Sequence, residues 1–319
     1  MTTTSVTQDS PLARRLAAWF SERFPAANAL LFFILYLACA AVARHALGGI
    51  FISAVDIIGC LVTWSFFLVL RVFDEHKDYQ LDLKNHPQRV LQSGLIRLVH
   101  LRYLAAAAIT VQVLWSLYVD DWSFGAATLA WTLAFAWTCL MGKEFFCGAW
   151  LEKRLTLYAF SHMLVMPLIV WWLLNLGASG VHLTDTMTLL MALAFVSGFS
   201  FEITRKAKGA DEERDTVDSY SRIFGYRGAC LIVAVLVLAM GVLQLVLIQA
   251  LGNRLPLWSL IIIGLFTALA FYSLANYWRS PTAGAREKNE ASVALLMLAG
   301  YAVTIAAALV AVPVHLAWW

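Results

Sequence analysis

The chain has 319 residues, 61% of them hydrophobic and only 13% charged, with a net charge of +3. Soluble domains run nearer half apolar and about a quarter charged, so this balance excludes an ordinary soluble enzyme and points to a membrane protein. So small a net charge gives no argument for nucleic acid as a partner. The five cysteines, Cys39, Cys60, Cys139, Cys147 and Cys230, form no CxxC pair, so they read as small hydrophobes rather than a zinc site or a disulfide framework.

Residues 1–25 form a polar N-terminal segment, and Met1–Ser10 lacks the apolar core of a cleavable signal peptide. Residues 26–319 read as one transmembrane unit. A crossing of the hydrocarbon core takes about 20 apolar residues. Nine stretches qualify: Ala26–Ala43, Ile50–Val72, Leu101–Val119, Phe124–Met141, Leu155–Leu176, Thr184–Ile203, Gly228–Ala250, Leu257–Trp278 and Ala291–Leu316. Without water to satisfy the backbone these must be helices. The expected fold is all-α, with nine transmembrane helices around a central cavity. Pro167 and Pro313 fall inside spans and are expected to kink them.

Nine crossings place all but Arg44 and Arg254 of the 23 Lys and Arg on one side. By the positive-inside rule that side is the cytosol, which also receives the N-terminus. A bacterial cytoplasmic membrane is the expected location.

The connection after span two carries Asp74, Glu75, Asp78 and Asp82. Asp74, Asp78 and Asp82 stand four apart, which on a helix puts them on one face. Like charges so placed repel unless a cation neutralises them, and hard oxygen ligands suit Mg²⁺. The competing reading is a solvated helix end paired with Arg71, Lys77 and Lys84.

Lys143 ends span four and is a candidate phosphate contact, with snorkelling to the interface as the alternative. His76 and His86 flank the acidic run, where a general-base role competes with that of a solvated loop histidine. His162, inside span five, reads either as an acceptor contact or as a satisfied core histidine.

The connection after span six carries Glu202, Arg205, Lys206, Asp211, Glu212, Glu213, Asp215 and Arg222. Its carboxylates repeat the metal-ligand chemistry. Arg205, Lys206 and Arg222 suit phosphate oxygens. Carboxylates alone would repel a diphosphate and cations alone would not explain the acids. Mg²⁺ bridging carboxylates and phosphate oxygens accounts for both.

On these residues the chain resembles the UbiA superfamily of intramembrane prenyltransferases along nearly its whole length. The family's N-D-x-x-D-x-x-x-D run appears as Asp74-Glu75-His76-Lys77-Asp78-Tyr79-Gln80-Leu81-Asp82. Its R-P-x-x-S-G run appears as Arg89-Val90-Leu91-Gln92-Ser93-Gly94, with Val for Pro. Asp211–Asp215, then Ser221 and Gly225, follow the second motif loosely, as in a divergent member.

The resemblance implies that Mg²⁺ is held by Asp74, Glu75, Asp78, Asp82, Glu202, Asp211, Glu212 and Asp215. It gives Asp74, Asp78, Asp82, Asp211 and Asp215 the catalytic part, and Arg89, Lys143, Arg205, Lys206 and Arg222 the diphosphate. The implied reaction moves an isoprenyl group from an allylic prenyl diphosphate to an aromatic or other lipophilic acceptor within the membrane. Substituting Asp78 or Asp82 is expected to abolish it.

A cyclase of the same superfamily needs no acceptor and is the nearest alternative. A transporter would carry its acids at the bilayer midplane rather than at the cytosolic ends of the helices. The D-G-x-x-A-R run of CDP-alcohol phosphotransferases is absent.

Overall fold

The computed structural model describes residues 6–213 and 218–316. Its helices, in chain order, are α1 Leu12–Arg23, α2 Ala29–His45, α3 Val55–Lys77, α4 Tyr79–Asn85, α5 Leu98–Val119, α6 Ala126–Gly142, α7 Gly148–Glu152, α8 Leu155–Met163, α9 Val165–Gly177, α10 Asp185–Lys206, α11 Tyr220–Gly252, α12 Leu257–Arg279 and α13 Ala283–Ala311. Two short strands, β1 Ile50–Ile52 and β2 Val314–Leu316, pair in parallel. The protein is an all-α, polytopic membrane protein.

Among the described residues 8 helical stretches are long and apolar enough to cross a membrane, with α8 and α9 counted as one. The expected fourth crossing, α6, has 17 residues. At 1.5 Å per residue it spans about 25 Å, short of a hydrocarbon core of about 30 Å. It nonetheless joins the two ends of the bundle. Its first turn is capped by Asp120 after α5, and Glu144 just beyond its last turn pairs with Lys77 at the end of α3.

Span boundaries moved where local chemistry outweighed hydropathy. Residues 50–52 are apolar but form β1, and the second span begins at Val55. Pro167 has no N–H to offer the Met163 carbonyl, and span five breaks there into α8 and α9. Pro313 ends its helix instead of kinking it. Val312 before it is extended (φ −136°, ψ 159°), the Pro313 carbonyl accepts from Ile50 N, and β2 follows. Gly225, at φ 68° and ψ 156°, separates the first turn of α11 from its transmembrane part. Thr184, Ser219 and Thr282 cap α10, α11 and α13 through their hydroxyls.

Two sets of polar contacts hold the bundle where lipid gives helices no hydrophobic reason to associate. Midway, Gln112 donates to Ser65 (3.1 Å) and accepts from Trp131 Nε1 (3.1 Å), while Trp172 Nε1 donates to Ser116 (3.0 Å). These bonds tie α3, α5, α6 and α9. At the Lys/Arg-poor end, Arg44 donates to both oxygens of Asp56 (2.7 and 3.0 Å) and to the carbonyls of Gly177 and Phe51. That clamp fastens α2, α3 and α9. Gly177 permits their close approach, since a Cβ there would stand 2.6 Å from the Ala40 Cα.

At the basic end α1 lies against the head of the bundle. Trp19 is fully buried, and Phe20 and Phe24 pack on Trp64 of α3. The turn at residues 89–94, between α4 and α5, needs glycine at Gly94 (φ 82°). Val90, standing where the resembling family has proline, has an N–H, and Glu22 of α1 accepts it at 3.2 Å.

Candidate active site

The first acidic run is built on the end of α3. Backbone bonds run from Asp78 N to Asp74 O and from Asp82 N to Asp78 O, each 2.8 Å. The spacing of four is therefore realised as successive turns of one face. The side chains have different fates.

Glu75 is completely buried. Its Oε1 accepts from Arg71 (2.5 Å) on its own helix and from Arg23 (2.6 Å) on α1. Asp82 accepts from Arg89 (2.8 Å), with Arg23 at 3.5 Å. Among the described residues the one ion pair of Asp74 is a long contact with Arg71 (3.9 Å), and its side chain is 56% exposed. Asp78 makes no side-chain hydrogen bond or ion pair among the described residues. Burial pushes its carboxyl above the ordinary range against the pull of Lys77, and Asp82, Glu144 and Glu75 add to the rise.

The end of α10 faces this run. Asp74 interacts electrostatically with Glu202 and Arg205. Glu202 accepts from Arg205 and Lys206, both at 2.7 Å. The side chains of Arg205 and Asp74 are 51% and 56% exposed, so both reach the polar surface at the basic end of the bundle.

Tyr158 of α8 joins the two sides. Lys77 Nζ donates to the Tyr158 hydroxyl and stands 5.0 Å from the ring centroid, the geometry of an edge contact through that hydroxyl. Lys206 Nζ lies 5.5 Å from the same centroid. Glu144 takes an ion pair from Lys77 (3.2 Å) and a long bond from the tyrosine (3.4 Å). His162 stacks on Tyr158 with centroids 4.0 Å apart, and its Nδ1 donates to the Tyr158 carbonyl (2.8 Å). Glu144, Phe145 and Phe146 all have φ near +50°, unusual for residues with side chains. This strained turn places Glu144 on Lys77 and the edge of Phe145 on His162.

The second acidic run has other partners. Asp211 accepts from Ala283 N (2.8 Å) at the start of α13, Glu212 from Arg286 (2.7 Å), and Glu213 from Ser219 and Ser221. It communicates with the first run through alternating charges. Arg286 pairs with Glu290 (2.5 Å), Glu290 acts on Arg205, and Arg205 acts on Asp74. Asp215 lies outside the described residues. Arg222 is exposed on the first turn of α11, and Lys143 is exposed at the end of α6.

The structure thus brings Asp74, Asp78, Glu202, Arg205 and Lys206 into one neighbourhood of charges. It ties Glu75, Asp82 and Arg89 into an arginine–carboxylate cluster, and Asp211 and Glu212 to α13. Lys77, Glu144 and Tyr158 were not among the expected site residues. Lys77 stands inside the acidic run and was signalled by that place alone, while Tyr158 had no signal in the sequence.

Among the described residues no three His, Cys, Asp or Glu converge as a ready metal cage. Mg²⁺ does not require one. It keeps waters and binds through one or two carboxylates plus substrate phosphates. Asp74 and Asp78, one turn apart, with a single long ion pair between them and any arginine among the described residues, fit that pattern.

No family model matches the chain, nor does any curated protein. Two solved structures do. One, described in connection with digeranylgeranylglyceryl phosphate synthase in membranes, superposes with a TM-score of 0.64 at 17% identity, covering 92% of this chain and 99% of that one. The other, the apo form of a UbiA homolog from Aeropyrum pernix K1, gives 0.62 at 16% identity, covering 83% and 94%. The chain has the fold of UbiA-type membrane proteins.

Proposed function

We propose that the chain is a divergent UbiA-type prenyltransferase. It would move an isoprenyl group from an allylic prenyl diphosphate to an aromatic or other lipophilic acceptor, with Mg²⁺ and release of diphosphate. The observation that carries the reading is the meeting of Lys77 and Lys206 at Tyr158, beside Asp74, Asp78 and Arg205. Carboxylates and cations from the ends of α3 and α10 lie together there, the mixture a metal-bound diphosphate would need. The UbiA fold and the acidic runs after the second and sixth spans support it.

In this reading Asp74 and Asp78 hold the metal, and Glu202 keeps Arg205 and Lys206 oriented. When bound, Mg²⁺ supplies charge neutralisation to the leaving diphosphate. Lys77, Arg205 and Lys206 take the phosphate oxygens and stabilise the charge that develops as the allylic C–O bond breaks. Lys77 can do so by exchanging Glu144 for phosphate. Tyr158 stands between the two lysines and keeps them apart. The isoprenoid tail would run down into the apolar bundle, and the acceptor's nucleophilic atom would attack from the same depth, its proton passing to the released diphosphate. The basic end then faces the cytosol, where the charged donor is dissolved.

The test is incubation of the reconstituted protein with a panel of prenyl diphosphates, with and without a membrane lipid extract, read by mass spectrometry. Prenylated lipid formed only when the extract is present supports transfer. Hydrocarbon or alcohol formed from the donor alone supports a cyclase. Absence of Mg²⁺-dependent diphosphate release under every condition refutes both.

A further inference from the structure

Away from the acidic runs, α11 and α12 leave a groove on the lipid-facing side of the bundle. It holds about 360 Å³ and is lined by Cys230, Leu231, Ala234, Phe271, Leu274, Ala275, Trp278 and Arg279. Apart from Arg279 its walls are apolar. From Arg227 down to Ala234 the groove descends about 10 Å into the bilayer at 1.5 Å per residue.

Its cytosolic mouth is cationic. Arg227 stands 5.7 Å from the Tyr226 ring centroid and 5.8 Å from that of Trp278, and Arg279 follows Trp278. Tyr226 also lines a separate cavity of about 470 Å³ with Lys208, Ser221, Arg222 and Glu213.

A snorkelling arginine by itself needs no ligand. Here two arginines and an interfacial tryptophan crown a preformed apolar slot between two helices. We infer that this groove is a binding site for an anionic phospholipid of the cytosolic leaflet, with its phosphate on Arg227 and Arg279 and an acyl chain against Leu231, Ala234 and Phe271. The charge of the mouth selects the headgroup. A zwitterionic lipid would bring its own cation against the arginines, and a free phosphate would leave the apolar slot unfilled. The inference is independent of the proposed reaction, because neither arginine belongs to the diphosphate site.

Titration of the purified full-length protein with phosphatidylglycerol or phosphatidylcholine, followed by native mass spectrometry, tests it. The intact protein is expected to retain phosphatidylglycerol preferentially. Arg227→Gln with Arg279→Gln should erase the preference, at about fivefold per arginine. Arg227→Lys with Arg279→Lys should keep most of it. Ala234→Phe, which fills the slot, should lower retention of both lipids, and inorganic phosphate should not compete. Diphosphate release by all these variants should match that of the unaltered protein. An unchanged preference in the double Gln variant, or unchanged retention in Ala234→Phe with melting temperatures intact, would overturn the assignment.

Discussion

Lys77 of α3 and Lys206 of α10 reach the same aromatic ring, that of Tyr158, one through its hydroxyl and the other 5.5 Å from its centroid. The two residues are far apart in sequence and belong to the two acidic connections. Their meeting brings the ends of α3 and α10 together, with Glu144 holding Lys77 and Glu202 holding Lys206. In the proposed reaction this pair of lysines would be the anion-binding centre.

Lys77→Ala should therefore weaken binding of the prenyl diphosphate more than it harms the fold. A charge-assisted contact is worth about 1.5–3 kcal/mol, so KM for the donor should rise about 10- to 150-fold. Tyr158→Phe keeps the ring and loses only the hydroxyl, so its KM should rise less than that of Lys77→Ala. Steady-state kinetics on both variants decide this, and equal effects would contradict the arrangement.

The carboxylates should separate into two groups. Asp78→Asn removes the carboxylate that makes no ion pair among the described residues and should lower Mg²⁺-dependent diphosphate release by about 100-fold or more. Asp82→Asn disturbs a pair with Arg89 and should cost less, with the difference appearing as apparent Mg²⁺ affinity. Activity measured across a Mg²⁺ titration distinguishes them.

Arg23 links α1 to the fully buried Glu75, which keeps only Arg71 when Arg23 is removed. Arg23→Ala should destabilise the protein by about 1–3 kcal/mol, the cost of under-pairing a buried charge. Glu75→Gln in the same chain should recover part of the loss. Thermal unfolding of the single and double variants measures the coupling.

At the opposite end, burial raises the Asp120 carboxyl, but the Thr128 N–H, the Ser179 hydroxyl and the Ala127 N–H outweigh it. Its folded pKa thus lies below the ordinary value. Its stabilisation is complete above the unfolded pKa of about 4 and is lost as pH falls through the lower, folded one. Asp120→Asn should be less stable at neutral pH by about 1 kcal/mol. Melting curves of variant and parent should converge once the pH falls below the folded pKa. A constant gap down to that pH would show that the charge is not what matters.

The crossings were readable from hydropathy, since lipid forces an apolar run of sufficient length to be a helix. The run of three aspartates at a spacing of four was equally plain, because helix geometry is local. What the sequence hid is long-range. Nothing near Glu75 says that Arg23 will arrive from another helix, and nothing near Tyr158 says that two lysines will converge on it. The apolar run 50–52 became a strand only because β2 returns beside it, and Pro313 ended a helix that hydropathy alone would have continued.

The most direct test of the site is Mg²⁺-dependent release of diphosphate from prenyl diphosphates by the reconstituted protein, measured alongside Asp78→Asn and Lys77→Ala. Release that requires Mg²⁺ and collapses in both variants, with their melting temperatures unchanged, is the predicted result. Release that proceeds equally in both, or does not occur with any prenyl diphosphate, would contradict it.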